Sequence, residues 1–186
     1  GVPGAFMSLV GANGLNSAVR EHKITKPSEI LNQLNTYVTE SLNKGDEHSS
    51  IRDGMDMTIC AIDYDKMTLE YAGANNPLYI VRNDKIIVTK ADKFAIASFT
   101  PGDFVYTNHL FQLEKDDVIY VFSDGYADQF GGPKGKKFMY RNFRRLLLDI
   151  HKKPLDEQKQ ILYSELNDWQ EDVEQIDDVL VIGLKI

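Results

Sequence analysis

Residues 58–89, TICAIDYDKMTLEYAGANNPLYIVRNDKIIVT, decide the fold. Four β-branched and aromatic runs, at 58–62, 68–72, 78–81 and 86–89, are separated by turn clusters such as Tyr64-Asp65-Lys66 and Arg82-Asn83-Asp84-Lys85. Connections this short permit antiparallel hairpins and leave no room for the crossover helices of a parallel sheet. Runs at 105–113 and 118–122 continue the strands around the turn Glu114-Lys115-Asp116-Asp117, and a last apolar run, 179–186, closes the chain.

Helical periodicity brackets these strands. Phe6, Met7, Val10, Leu15, Ala18 and Val19 predict a mostly buried helix over 5–19, with Gly11 and Gly14 as weak points. Thr25 and Pro27 mark the start of a second helix whose stripe is Ile30, Leu31, Leu34, Val38 and Leu42; Gly45 stops it, and 45–52 reads as a loop. Phe143, Leu146, Leu147 and Ile150 predict a third helix, and Leu155, Ile161, Leu162, Leu166 and Trp169 a fourth. The whole is an α+β layered architecture, sheets covered by helices, in one domain spanning 1–186.

Composition narrows the function. With 21 Lys and Arg against 28 Asp and Glu, the formal net charge is −7, which argues against a nucleic-acid binder. The single cysteine, Cys60, lies in an apolar run, so neither a disulfide framework nor a cysteine zinc site is available within the chain, as suits a cytoplasmic protein; Cys60 reads as a small buried hydrophobe. No apolar stretch approaches the ~20 residues of a membrane span, and no secretory signal opens the chain, so a soluble domain is expected.

The chemistry gathers at strand ends. Tyr120-Val121-Phe122-Ser123-Asp124-Gly125 is an apolar strand ending in a carboxylate and a glycine, which by itself is a common turn. Gln175-Ile176-Asp177-Asp178-Val179-Leu180 places two carboxylates before a run apolar on both faces, as in a central buried strand. Two carboxylates about 4 Å apart repel by roughly 4 kcal/mol at an effective dielectric of about 20, so a site joining Asp124 to Asp177 and Asp178 calls for a hard cation with oxygen ligands. A third element, Gly73-Ala74-Asn75-Asn76-Pro77, either lets backbone approach a ligand while Asn75 and Asn76 offer amides, or simply ends a strand in a turn.

Other features carry less. Gly131-Gly132-Pro133-Lys134-Gly135-Lys136-Lys137 is not a P-loop, because its glycines are too close and Lys137 stands where Ser or Thr would bind magnesium. It reads as a mobile solvated loop, or as one whose Lys134 and Lys136 steer a phosphorylated partner. His22, His48, His109 and His151 share no ligand spacing. Asp53 and Asp56 suit a solvated loop, with Asp56 able to support a site from behind, and Asp63-Tyr64-Asp65 matches the letters of an aspartyl-phosphate hydrolase motif but falls in a hairpin turn.

Four stretches in order, Gly1-Val2-Pro3-Gly4-Ala5-Phe6-Met7-Ser8, Gly73-Ala74-Asn75-Asn76-Pro77, Phe122-Ser123-Asp124-Gly125 and Asp177-Asp178-Val179, resemble the SpoIIE branch of the metal-dependent PPM Ser/Thr phosphatases, over essentially the whole chain. The resemblance implies an α-β-β-α sandwich of two antiparallel sheets flanked by helices, with a binuclear Mn or Mg centre. It implies Asp124, Asp177 and Asp178 as metal ligands, Asp177 the direct one of its pair, and Gly125, Asn75, Asn76, Lys134 and Lys136 as supporting or substrate groups. A metal-bridged hydroxide would attack the phosphoester of a phosphoserine or phosphothreonine protein, with a partner of the STAS, anti-anti-sigma-factor type and an N-terminal sensor or regulatory domain, able to tether the domain to a membrane in the full-length protein, as expectations. Gly1 matches the last glycine of the family's Asp-x-(Ser/Thr)-Gly-His-Gly stretch, so that aspartate is missing here, and the chain reads as an N-terminally truncated domain that binds metal weakly and turns over little. The rival reading is a catalytically silent module of the same fold that binds a partner.

Overall fold

The computed structural model describes residues 2–43, 54–98 and 104–186, without the side chains of Val2, Pro3 and Asn43. Gly1, the helix stop at Gly45, the loop 45–52, His48 and Asp53 lie outside the described residues. The chain divides into two compact units, residues 1–77 with 90–113 and residues 78–89 with 114–186.

In the first unit, helix α1 (Val2–Asn16) runs into a π-helical turn, Ser17–Glu21, closed by His22 N–H donating to Ser17 O at 2.9 Å, and is followed by α2 (Pro27–Asn43). The helix expected over 5–19 therefore begins earlier and changes its winding at Ser17, which helical periodicity alone does not reveal. Strands β1 (Met57–Asp63), β2 (Thr68–Ala74) and β5 (His109–Gln112) make an antiparallel sheet in the order β1-β2-β5. Its core joins Met7, Val10, Leu31, Leu34 and Val38 of the helices to Ala72, Ala74, Ile96 and Tyr106. Of the stripe read on α2, Ile30, Leu31, Leu34 and Val38 are buried and Leu42 half-buried, and the neighbouring Asn32 and Asn35 side chains accept the N–H groups of Tyr106 (2.9 Å) and Ala97 (2.8 Å).

Cys60 lies half-buried in β1, and burial pushes its thiol up to about 12. A thiol held protonated is a poor nucleophile, so alkylation of the native chain at pH 8 is expected to run roughly tenfold or more slower than after unfolding in urea. Equal rates before and after unfolding would contradict this burial.

The second unit is a four-stranded antiparallel sheet, β4-β3-β6-β9, built from β3 (Leu78–Arg82), β4 (Lys85–Thr89), β6 (Val118–Phe122) and β9 (Val181–Lys185). Helices α4 (Tyr140–Ile150) and α5 (Leu155–Gln170) cover it. Its core is aromatic: Phe122 meets Tyr79 and Phe143 edge-on at ring distances of 4.7 and 4.9 Å, and Tyr126 meets Phe138 edge-on at 5.3 Å. Such pairs add to area burial and set the seating of α4.

Two expectations about this sheet are corrected. The runs on either side of 114–117 are not a hairpin, because β5 pairs with β2 and β6 with β3 and β9. The last strand is an edge strand, not a central one, with Leu180 55% and Ile182 51% exposed. The stretch 131–137, read as a loop, is a small hairpin of β7 (Phe130–Gly131) and β8 (Lys136–Lys137) that follows the one-turn helix α3 (Gly125–Asp128). The mixed helical and antiparallel architecture is as expected.

Candidate metal and phosphoester site

The site grows from the pairing of β6 with β9. Phe122 stands opposite Val181, and one residue on, Ser123 N–H donates to Leu180 O at 3.0 Å, extending the ladder to the strand end. The Ser123 hydroxyl then donates to Asp178 O at 2.7 Å and accepts the Leu180 N–H at 2.9 Å. A single hydroxyl thus satisfies two backbone groups of the segment that carries the acidic pair.

Asp124 follows this latch. It caps α3 from a right-handed conformation (φ −72°, ψ −19°), its carbonyl accepting the Asp128 N–H at 2.9 Å. The next residue must be glycine: a Cβ on Gly125 would lie 2.5 Å from Asp178 O, so any larger side chain forces the two acidic segments apart. Asp124 is half-buried, whereas Asp177 and Asp178 are exposed. One Asp177 carboxylate oxygen accepts the Asp178 N–H at 2.7 Å, and Gln175 Nε2 donates to Asp177 O at 2.7 Å, so the turn carrying the pair is internally bonded.

The three aspartates are therefore brought to one end of the β6–β9 pair. Their donor type, hard carboxylate oxygen, fits Mn or Mg. Their placement is not a ready ligand set: among the described residues no group of three or more His, Cys, Asp or Glu side chains, these three aspartates included, is arranged to hold a metal ion.

The remaining predicted residues are distributed as follows. Asn75 and Asn76 belong to the first unit, where the chain leaves β2. Asn75 is left-handed (φ 63°) and its amide donates to Asp56 Oδ1 at 2.7 Å, while Asn76 O accepts hydroxyls from Tyr71 (2.8 Å) and Thr58 (2.9 Å). Asp56 is thus a partner of Asn75 rather than a bare loop acid. Lys134 and Lys136 are exposed on the β7–β8 hairpin, which Lys137 pins by an ion pair with Asp128 at 2.7 Å. Asp63 and Asp65 lie at the β1–β2 turn, Asp63 bonded to Lys66, in keeping with a hairpin.

Sequence reasoning missed Ser123 and Gln129. Gln129 is buried, its Nε2 donating to Phe130 O (3.1 Å) and to Glu174 O (3.2 Å), which connects the end of α3 to the segment before the acidic pair. Nothing local announces either role, since the partner carbonyls lie 45 and 55 residues along the chain.

Comparison with known proteins accords with this fold. No curated protein matches the chain. Among solved structures, the SiaA-PP2C domain of Pseudomonas aeruginosa superposes with a TM-score of 0.87 at 27% identity, covering 100% of this chain and 71% of that one. The PP2C phosphatase domain with a fragment of the regulatory domain of the cell fate determinant SpoIIE from Bacillus subtilis gives 0.72 at 18% identity, covering 97% of this chain and 50% of that one. The RsbU and RsbW domains of a Mycobacterium tuberculosis protein give 0.74 at 15%, covering 100% and 48%. The chain thus spans half or less of the last two. The family model described as Stage II sporulation protein E (SpoIIE) matches residues 1–186, and the chain belongs to that family, a branch of the PPM phosphatases.

Proposed function

We propose that this chain is a phosphatase domain that removes phosphate from phosphoserine or phosphothreonine of a partner protein with the help of Mn or Mg, within a cytoplasmic signalling protein. The observation that carries the reading is the Ser123 latch, which fixes Asp124 and the Asp177-Asp178 turn to one strand end where a cation would offset their mutual repulsion. Asp124, Asp177 and Asp178 would hold the metal, Gly125 permitting their approach. The remaining ligands would come from outside the described residues, in line with the sequence reading of an incomplete set. When bound, such a cation supplies a nucleophilic water near neutral pH and offsets charge on the phosphoryl oxygens. The chain's own part is to orient: Ser123 and Gln175 hold the acidic turn, and Lys134 and Lys136 draw in the phosphorylated partner. A regulatory domain in the name of one similar protein and a second domain in that of another support a regulatory region beside this domain; a partner of the STAS type and an upstream sensor are what the resemblance implies.

The shortage of ligands among the described residues favours one second reading, a silent module of the same fold. Hydrolysis of a phosphoserine protein by the full-length protein separates the two. Turnover that appears with Mn and falls to background with a chelator is expected; turnover indifferent to both Mn and chelator would overturn the metal reading, and none under any condition would leave the silent module standing.

A further inference from the structure

Charge is distributed unevenly along this chain. Residues 129–148 hold Lys134, Lys136, Lys137, Arg141, Arg144 and Arg145 and no acidic residue, while the rest of the chain sets the other 15 basic residues against all 28 acidic ones. A basic segment on a domain of net charge −7 is a local field opposed to the global one.

The fold keeps these cations available. Lys137 is bridged to Asp128, but among the described residues Lys134, Lys136, Arg141, Arg144 and Arg145 form no ion pair. Lys134, Lys136, Arg141 and Arg145 are exposed, and Arg144 is half-buried with a guanidinium N–H donating to the Tyr79 hydroxyl at 3.4 Å. Lys26, Lys66, Arg82, Lys152, Lys153 and Lys185 meet an acidic partner, while Arg20, Lys23, Lys85, Lys90, Lys93, Lys115 and Lys159 also form no ion pair among the described residues, so what sets residues 129–148 apart is the clustering of cations without an acid among them.

Local stability does not account for the arrangement. Arg141 lies in the first turn of α4, where positive charge opposes the helix dipole, and no acidic residue accompanies it. Arg141 and Arg145 are four residues apart on one exposed face, a like-charge spacing that weakens a helix further. Both costs vanish when an anionic surface covers the face.

The backbone beneath is well tied. A Cβ on Gly131 would lie 1.8 Å from Trp169 O, Gly132 N–H donates to that same carbonyl at 2.7 Å, and Phe138 and Met139 N–H groups donate to Gln129 O (2.9 Å) and Ala127 O (2.7 Å). The cations therefore stand on a framework already ordered, which lowers the entropic cost of association. Met139, 55% exposed, and Phe130, 38% exposed, add apolar anchors among the basic side chains, a composition enriched in the cores of protein interfaces.

We propose that the β7–β8 hairpin and the N-terminal half of α4 form a docking face for an acidic surface of the phosphoprotein substrate. This rests on the phosphatase reading for the word substrate, and on the charge pattern alone for the acidic partner. A protein fits better than nucleic acid, because the net negative charge of the remaining chain repels an extended polyanion, whereas a compact acidic patch meets only the basic face.

Two charge reversals test it, Lys134→Glu with Lys136→Glu on the hairpin and Arg141→Glu with Arg145→Glu on the helix, with thermal melting to verify folding. The probe is a fluorescent phosphoserine peptide rich in Asp and Glu, beside a peptide in which these are Asn and Gln, read by anisotropy. Each double variant is expected to lose about tenfold or more in affinity for the acidic peptide and nothing for the neutral one, and raising the salt should weaken the wild type far more than the variants. Unchanged affinity in both variants overturns the docking face. Tighter binding of duplex DNA or of phosphatidylserine vesicles than of the peptide, lost in the same variants, overturns the choice of a protein partner. Hydrolysis of a small phosphoester by the full-length protein is expected to be unaltered by Arg141→Glu with Arg145→Glu; its absence in the wild type would count against the phosphatase reading while the anisotropy still decides the docking face.

Discussion

An Asp124→Asn substitution is expected to lower kcat/KM of the full-length protein toward a phosphoserine protein by on the order of 10²-fold or more, with little change in melting temperature. The amide is nearly isosteric with the carboxylate and can still serve at a helix N-cap, and the backbone contacts here are untouched by the change: the Asp124 carbonyl accepts the Asp128 N–H, and its neighbours Ser123 and Gly125 make the approach to Asp178. Under the proposed function, what the change removes is one unit of negative charge that would face the cation. A bound metal supplies several kcal/mol of transition-state stabilisation, and each 1.4 kcal/mol lost is tenfold in rate, so a ligand that loses its charge costs at least two decades. The accompanying signature is in metal dependence: the Mn concentration for half-maximal rate should rise, and excess Mn should restore part of the activity. A variant as active as the parent, with the same Mn requirement, would remove Asp124 from the site and with it the reading of the strand end as a metal centre.

How much of this was legible in the sequence depends on the range of the interaction concerned. The strands at 58–89 were legible because alternation and turn chemistry are local, and β1 to β4 fall where the runs place them. Partner choice was not. The runs flanking 114–117 look like the arms of a hairpin, yet β5 and β6 enter different sheets, because β6 is claimed by β3 and β9 through pairings such as Ile80 with Ile119 and Val121 with Ile182. The run at 179–186 is apolar on both faces, which suits a central strand, but a strand's position depends on which neighbours it finds; here, among the described residues, β9 pairs with β6 and no other strand, and Leu180 and Ile182 are exposed. At the site, the carboxylates were legible as residue types at strand ends. The groups that hold them were not, since Ser123 reads as any turn serine until Asp178, 55 residues later, is seen to accept its proton. The hairpin at 130–137 was hidden for the same reason: Gly131 and Gly132 are set by Trp169, at the far end of α5.

Asp117→Ala is expected to destabilise the chain by about 3–5 kcal/mol in urea unfolding, a large part of the ~5–15 kcal/mol that holds a domain folded. Asp117 is 1% exposed, and its two carboxylate oxygens accept Arg82 Nε–H at 2.8 Å and an Nη2–H at 2.7 Å, a fork-to-fork pairing, while Oδ2 also takes the Glu114 N–H at 2.8 Å. Arg82 ends β3, Glu114 opens the turn before β6, and the Asp117 carbonyl accepts the Ile186 N–H at 2.9 Å just past β9, so one residue ties three strand ends of the second unit, two through its buried carboxylate and the third through its backbone. Glu114 alone cannot replace it: that carboxylate pairs with Arg82 at 2.7 Å but is mostly solvent-exposed, where screening leaves little net stabilisation. Removing Asp117 leaves the Arg82 guanidinium, 21% exposed, without its buried counter-charge and the Glu114 N–H without an acceptor. Since the penalty comes from stranding a charge rather than from losing attraction, adding Arg82→Met to Asp117→Ala should recover part of the loss. A single variant that loses less than about 1 kcal/mol, or a double variant no more stable than Asp117→Ala, would show that the pair is not what ties these strand ends together.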